Sequence, residues 1–405
     1  MRGKKLSIGL RVALAIFTVN LLMADAWPAT TKILHVFGSS EGQGAYNGVI
    51  DSAGNLFGVT ISDGGPGACG IVYELTPTTS GPWVASTLYT FDGSEGCYPD
   101  ELILDSAGNL YGTTQLGPGY SAGGVYELAP TASGTWQLTE LYSLSTDQGL
   151  FPEAGLTPDA AGNVYTTAWG GGVQGDGTIF ELTPAAGGGW AETTLFSFDG
   201  TDGDQIDSTM IIDASGNLYG TAEYGGDHGA GTVWELSPQI GGGWKFKVLY
   251  NFSGGKDGGN IFTHPGALVM DAAGNLYGSA ASGGQSGDGV VFELSPTAGG
   301  PWMEKVLYSF GGRDGSQPDA GVIFDTFGNL YGETSNGGKD NDGVVFELSP
   351  TASGPWKETL LLSFDGSGDG MEPAGGLISD SAGNIYGTTW YGGAQGNGTV
   401  FEITP

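Results

Sequence analysis

The sequence predicts an all-β fold, a seven-bladed β-propeller built of four-stranded antiparallel blades, and three observations carry that prediction. The string DxxGNLYG, with small variations, begins at Asp51, Asp105, Asp159, Asp213, Asp271, Asp325 and Asp380, at spacings of 54 to 58 residues. A second string of the form FELTP recurs in step through Glu74, Glu127, Glu181, Glu235, Glu293, Glu347 and Glu402. The 405 residues include 78 Gly and 19 Pro, which excludes a helical bundle, while 39% hydrophobic residues are too many for a disordered glycine-rich chain. A period of this length, with recurring Gly and aromatic positions and several short strands per copy, marks a propeller blade.

Each repeat supplies its own elements. In the fifth copy, residues 267–270 form a compact apolar run (strand A), 271–275 a turn, and 275–280 strand B of a hairpin. Residues 289–295 alternate as strand C, and 302–310 form strand D, which ends in a third repeated string, LYSF. The Gly of DxxGN, here Gly274, supplies the positive φ of a tight turn, and the preceding Asp accepts backbone N–H groups across it. Trp83, Trp136, Trp190, Trp244, Trp302 and Trp356 open the D strands and are expected to cover the space between adjacent blades. The FELTP glutamates, present in all seven copies on a strand, read as framework or solvated groups rather than seven active sites.

The chain ends predict closure. Residues 31–37 resemble only a D strand, and the last repeat stops after its C strand at Pro405. Pairing the N-terminal strand with the C-terminal blade completes a ring and removes the sheet edges that an open array would leave. An open solenoid is the alternative, but it would need polar capping repeats, and neither end has one.

Arg2, Lys4, Lys5 and Arg11, an apolar run at 12–23 and the small residues Ala24 and Ala26 read as a cleaved secretory signal, residues 1–26. A membrane anchor would need roughly 20 apolar residues. The remaining chain, 27–405, is expected to be one propeller domain, a monomer that is secreted or associated with the cell surface, with no transmembrane anchor after cleavage. Acidic residues outnumber basic ones by 44 to 12, for a net charge of -32, so phosphate backbones are repelled and nucleic acid is not an expected partner.

In the units GNLYGTT, GTVFELTP and LYSFDG the repeats resemble the GloVer-type tandem repeats of secreted bacterial proteins, over residues 32–405. The resemblance implies an exported repeat protein without an assigned activity. Members often carry C-terminal surface anchors, whereas residues 402–405 here read as strand, so covalent or transmembrane attachment is not expected.

Function is sought where the copies differ. The B–C and D–A loops fall on one face of the disc, and most of the variation lies there. The B–C loops carry Tyr120, Trp169, Tyr224, Trp390 and Tyr391, and the D–A loops carry Tyr46, Tyr98, Phe151 and Phe262. Rings set among Asn, Asp and Gly suit the apolar faces of sugars, and Tyr98, Tyr120, Trp169, Tyr224, Trp390 and Tyr391 are the ligand-binding candidates. For any one ring, packing onto a neighbouring loop is an equal expectation.

Just before the A strands, around the expected channel mouth, stand Asp100, Glu101, Glu153, Asp207, Asp319 and Glu372. Converging carboxylates repel unless hydrated, protonated or bridged by a cation, and hard oxygen ligands favour calcium. His264, in the longest D–A loop, is the candidate general base, with Asp207 or Asp319 as partner; the alternative is a surface histidine in a tolerated insertion. The leading expectation is a non-catalytic propeller that binds an extracellular glycan or protein. The alternatives are a metal-dependent hydrolase or lactonase at the channel mouth, which rests on analogy of fold, and a purely structural disc.

Cys69 and Cys97 fall in neighbouring loops of the same face. In an exported chain this predicts a disulfide, which contributes roughly 3 to 4 kcal/mol for a loop of this length. Alkylation of the unreduced, unfolded protein is expected to label no thiol, and two labelled cysteines would overturn the pairing.

Overall fold

The turn repeated seven times is held by its own aspartate. In the fifth repeat, Asp271 Oδ1 accepts the N–H groups of Ala273 (2.8 Å) and Asn275 (2.9 Å). Its Oδ2 accepts the Asn275 side-chain amide (2.8 Å) and the Tyr277 hydroxyl (3.1 Å). Gly274, at φ 83°, turns the chain where an L side chain would be strained. The strands that follow from this turn are Val269–Met270, Leu276–Ala280, Val290–Ser295 and Met303–Ser309, antiparallel and hydrogen-bonded in that order.

The computed structural model describes residues 29–405 except 80, 120, 187–188, 262–267 and 353, and only the backbone at Asn47. The signal at 1–26 and the candidates Tyr120, Phe262 and His264 lie outside the described residues. Seven four-stranded sheets form the ring, numbered here as blades in chain order. The seventh is completed by the N-terminal strand Thr30–Val36, which pairs antiparallel with Thr399–Thr404, so the predicted closure is present. No helix among the described residues is long and apolar enough to cross a membrane.

The core lies in the seams between blades. The Phe that ends one D strand meets a ring on the C strand of the next blade, as in Phe91 and Tyr126 (5.3 Å), Phe198 and Trp234 (5.9 Å), and Phe252 and Phe292 (5.0 Å). The same pairing joins Phe310 to Phe346 (5.1 Å), Phe364 to Phe401 (5.3 Å) and, at the closing seam, Phe37 to Tyr73 (5.1 Å). Such pairs are worth about 0.5–1.5 kcal/mol beyond their burial. Each C-strand ring needs space over strand B, and the glycine of the LYG motif provides it: a Cβ on Gly220 would stand 2.4 Å from Trp234.

The strand-opening tryptophans pack across seams as expected, Trp136 on Phe57 (6.3 Å), Trp244 on Tyr165 (5.9 Å), Trp356 on Tyr277 (6.4 Å) and Trp83 on Tyr386 (6.2 Å). The seam between blades 6 and 7 departs from the pattern. Thr30 pairs with Thr404, so Ala29 takes the tryptophan's place, beside Tyr331. A cleft of about 460 Å³ opens there, lined by Ile323, Phe324, Phe327, Tyr331, Ile385 and Pro405, and Phe327 is 87% exposed.

The disulfide is formed between Cys69 and Cys97, with their Cα atoms 5.2 Å apart, and ties blade 1 to the first strand of blade 2, Cys97–Leu104. Filling the void at the odd seam should stabilise the ring. Ala29→Trp is expected to add about 1 kcal/mol to unfolding in denaturant, as cavity-filling substitutions commonly do. An unchanged or lower midpoint would show that the cleft cannot accept the ring.

Candidate functional site

The face that carries the B–C and D–A loops is organised by one repeated backbone feature. At the same aligned place in each D–A loop the chain enters the left-handed region: Gly44 (φ 66°), Tyr98 (57°), Phe151 (55°), Gln205 (58°), Asn260 (51°), Gln317 (57°) and Glu372 (55°). Only one of the seven is glycine. For the others this conformation costs on the order of 1–2 kcal/mol each.

The conformation is imposed by two neighbouring loops. The N–H of Tyr98 donates to Cys69 O (2.9 Å), that of Phe151 to Ala122 O (3.3 Å) and that of Glu372 to Asp342 O (3.0 Å), each acceptor lying on the preceding blade. On their own blade, Phe151 O accepts Trp169 N–H (3.0 Å), Gln317 O accepts Ser335 N–H (3.0 Å) and Glu372 O accepts Trp390 N–H (3.1 Å). The disulfide at Cys69 braces the clamp on Tyr98.

Between blades 2 and 3 the clamped residues open a cleft of about 280 Å³, lined by Tyr98, Gln115, Leu116, Phe151, Glu153 and Trp169. Phe151 and Trp169 meet edge to face at 6.1 Å. Thus Tyr98 and Trp169, two of the candidate rings, come together with the candidate carboxylate Glu153. A second cleft of about 320 Å³ lies between blades 6 and 7, where Gln317, Asp319, Ser335, Asn336, Glu372 and Trp390 line it. Tyr391 packs against Trp390 (6.2 Å), outside that lining, and Tyr224 sits apart, beside Glu223, Asp204 and Asp207. Tyr46 is 2% exposed and packs on Trp390 (5.7 Å), so for this ring the packing expectation holds.

The carboxylates gather near the ring axis in two groups. Asp100, Glu153, Glu101 and Asp207 stand close enough to Tyr46 to add to the effect of burial in holding its hydroxyl far above the usual tyrosine range. Asp100 and Asp207 are themselves buried. Asp100 accepts a hydrogen bond from Gln115 Nε2 (3.2 Å). Glu101 of blade 2 accepts one from Thr209 Oγ1 of blade 4 (2.8 Å), and Thr209 Oγ1 in turn accepts the N–H of Gly155 in blade 3 (2.8 Å). A Cβ on Gly155 would stand 2.2 Å from Glu101 Oε2, so glycine is required for three blades to meet there. The second group is Asp319 with Glu223 and Glu372. Among the described residues no group of three or more His, Cys, Asp or Glu side chains is placed to hold a metal ion. Calcium and the metal-dependent hydrolase are therefore without a ligand set among the described residues, which do not include His264.

Sequence reasoning passed over Glu333. Its aligned counterparts include Thr113, Thr167, Ser279 and Thr388, whose hydroxyls donate to carbonyls of the next blade, at 2.6 Å for Ser279 to Ala320 O and for Thr388 to Ala45 O. A glutamate in a column of hydroxyls was the available signal. Glu333 is 1% exposed; its Oε1 accepts the Gly376 N–H (2.7 Å), and Oε2 has no partner among the described residues. Burial pushes its carboxyl up to about 8, with Asp319 adding to the rise, and burial pushes Asp319 up to about 7. Asp319 also accepts a hydrogen bond from Ser335 Oγ.

A carboxyl raised in the folded state contributes stability that is complete below its unfolded value, 4.5 for Glu333, and lost as pH rises through about 8. Asp319 acts in the same direction at lower pH. Thermal unfolding followed from pH 5 to 9 should therefore show the midpoint falling, and the fall should be shallower in Glu333→Gln. Parallel curves for the two proteins would remove Glu333 as the cause.

Solved structures align with this chain at low identity. The extracellular domain of a protein assigned as a hybrid two component system of B. thetaiotaomicron aligns at 12% identity and a TM-score of 0.56, over 92% of this chain and 40% of that one. A protein assigned as a 6-phosphogluconolactonase of Bacteroides uniformis aligns at 13% identity and a TM-score of 0.49, over 86% and 89% of the two chains. PorZ, a surface component of the type-IX secretion system of Porphyromonas gingivalis, aligns at 14% and 0.42, over 84% and 44%. These are likenesses of fold alone. No curated protein matches the sequence. The repeat itself is matched across 16–225 and 205–405, and the chain belongs to the Gloeobacter/Verrucomicrobia repeat family.

Proposed function

We propose that this protein is an exported, non-catalytic propeller that binds an extracellular ligand, a glycan in the first instance, through the face bearing the B–C and D–A loops. The ring of left-handed residues carries the reading. Glycine would satisfy the backbone at all seven places, yet six hold Tyr, Phe, Gln, Asn, Gln and Glu. Strain kept at a set of positions whose side chains all differ in purpose from the framework is characteristic of recognition sites. The clefts beside these residues, with tryptophan walls, offer flat apolar surfaces edged by polar groups, as ligand sites do. Export is supported by the basic and apolar leader at 1–26 and by the disulfide, a bond that persists in oxidising compartments.

The test separates binding from folding. Wild type and Tyr98→Gly are screened on a glycan array, with and without calcium, and unfolded in denaturant. Wild type is expected to bind, and the variant to lose binding at least tenfold while staying as stable or gaining about 1 kcal/mol from relief of the left-handed strain. Wild type that binds nothing under either condition would overturn the proposal. So would a variant that binds normally but is destabilised.

A further inference from the structure

The two clefts on this face are the same architectural slot occurring twice. In each, one wall comes from the left-handed residue of one blade (Tyr98 or Gln317) and another from that of the next (Phe151 or Glu372). The far wall is a tryptophan at one aligned position, Trp169 or Trp390, where the other copies have Ile61, Gln115, Glu223, Ala281 and Ser335. The slots between blades 2 and 3 and between blades 6 and 7 are four blades apart in a ring of seven, hence on opposite sides of the axis. Each of the two carboxylate groups contributes to one of the slots, Glu153 to the first and Asp319 and Glu372 to the second.

We propose that the two clefts are the two ends of a single site for an extended, amine-bearing oligosaccharide that lies across the ring axis. This rests on the binding function proposed above and names its ligand class. Each tryptophan presents an apolar face for a sugar ring, and each has a carboxylate in the same cleft: Glu153 beside Trp169, Asp319 and Glu372 beside Trp390. No Lys or Arg lines either cleft. A neutral glycan would cover the carboxylates without compensating their charge, and an acidic one would be repelled. A protonated amine gains at both ends, from Glu153 beside Trp169 and from Glu372 beside Trp390. The linkage of the two clefts through one chain makes the second contact intramolecular.

The experiment titrates the mature protein with glucosamine oligomers of two and six units, the fully N-acetylated hexamer, and a lysine hexapeptide, following intrinsic tryptophan fluorescence and heat. The glucosamine hexamer is expected to bind about 100-fold more tightly than the dimer, as a ligand that engages two linked sites does. It is also expected to bind at least tenfold more tightly than the acetylated hexamer and the peptide. Trp169→Ala and Trp390→Ala should each reduce the hexamer to dimer-like affinity. Glu153→Gln and Glu372→Gln, which keep the shape, should narrow the preference for amine over acetylated sugar about tenfold, and unfolding midpoints check that all four variants fold. Equal affinity for dimer and hexamer, an acetylated hexamer bound as tightly, or tighter binding of the lysine peptide would each overturn the inference. If these sugars fail while the array yields a different glycan lost in Tyr98→Gly, this inference falls and the binding function stands. If nothing binds in either experiment, both fall.

Discussion

A four-stranded blade with apolar groups on both faces is covered only if each face meets another blade, and closure into a ring is the one arrangement in which none is left over. The edge-on contact between the last Phe of one blade and a C-strand ring of the next makes that closure specific. It occurs between the blade completed by the two chain ends and blade 1, Phe37 on Tyr73, much as it does elsewhere in the ring, Phe310 on Phe346. The repeated glycine over which each C-strand ring lies, the tryptophans that open the D strands and the aspartate-held turns all serve this contact. They fix the distance and tilt between neighbouring sheets.

Once those positions are committed, the loops of one face are where the chain is free to differ, and the backbone there is not free at all. Most D–A loops are clamped between their own B–C loop and that of the preceding blade, and the residue at the centre takes the same conformation in every copy. The result is a fixed mount with exchangeable side chains. Rigidity of this kind lowers the conformational entropy lost when a ligand binds, which is the advantage of a preorganised site. The acidic groups near the axis are held in a similar way, by Gln115, by Thr209 reaching across a blade, and by the Ser335 hydroxyl.

Most of the framework could be read from the sequence because it is written seven times. The period gave the blade count, the turn aspartates and FELTP strings located the strands, and the orphan D strand at 31–37 foretold the closing pair. The disulfide was legible because only two cysteines exist and both sit in adjoining loops. The site was legible in part. Trp169, Tyr98 and Glu153 were separate candidates, and nothing in their spacing said that they meet in one cleft. The left-handed ring was hidden because Tyr, Phe, Gln, Asn and Glu do not advertise a positive φ, and Gly44 alone hinted at it. Tyr46 resembled the other loop aromatics, and only its place beneath Trp390 distinguishes a packing ring from a surface one.

The seam between blades 6 and 7 is the one that lacks a tryptophan at the aligned place, Ala29 standing there instead. The blade on its far side is the one held together by strand pairing between chain ends, Thr30–Val36 with Thr399–Thr404, and Ala29 stands ahead of that strand where the other D strands open on tryptophan. Release of that strand would uncover the Thr399–Thr404 edge and its unpaired backbone groups. Held in place, that strand keeps the edge from serving as a template for another chain.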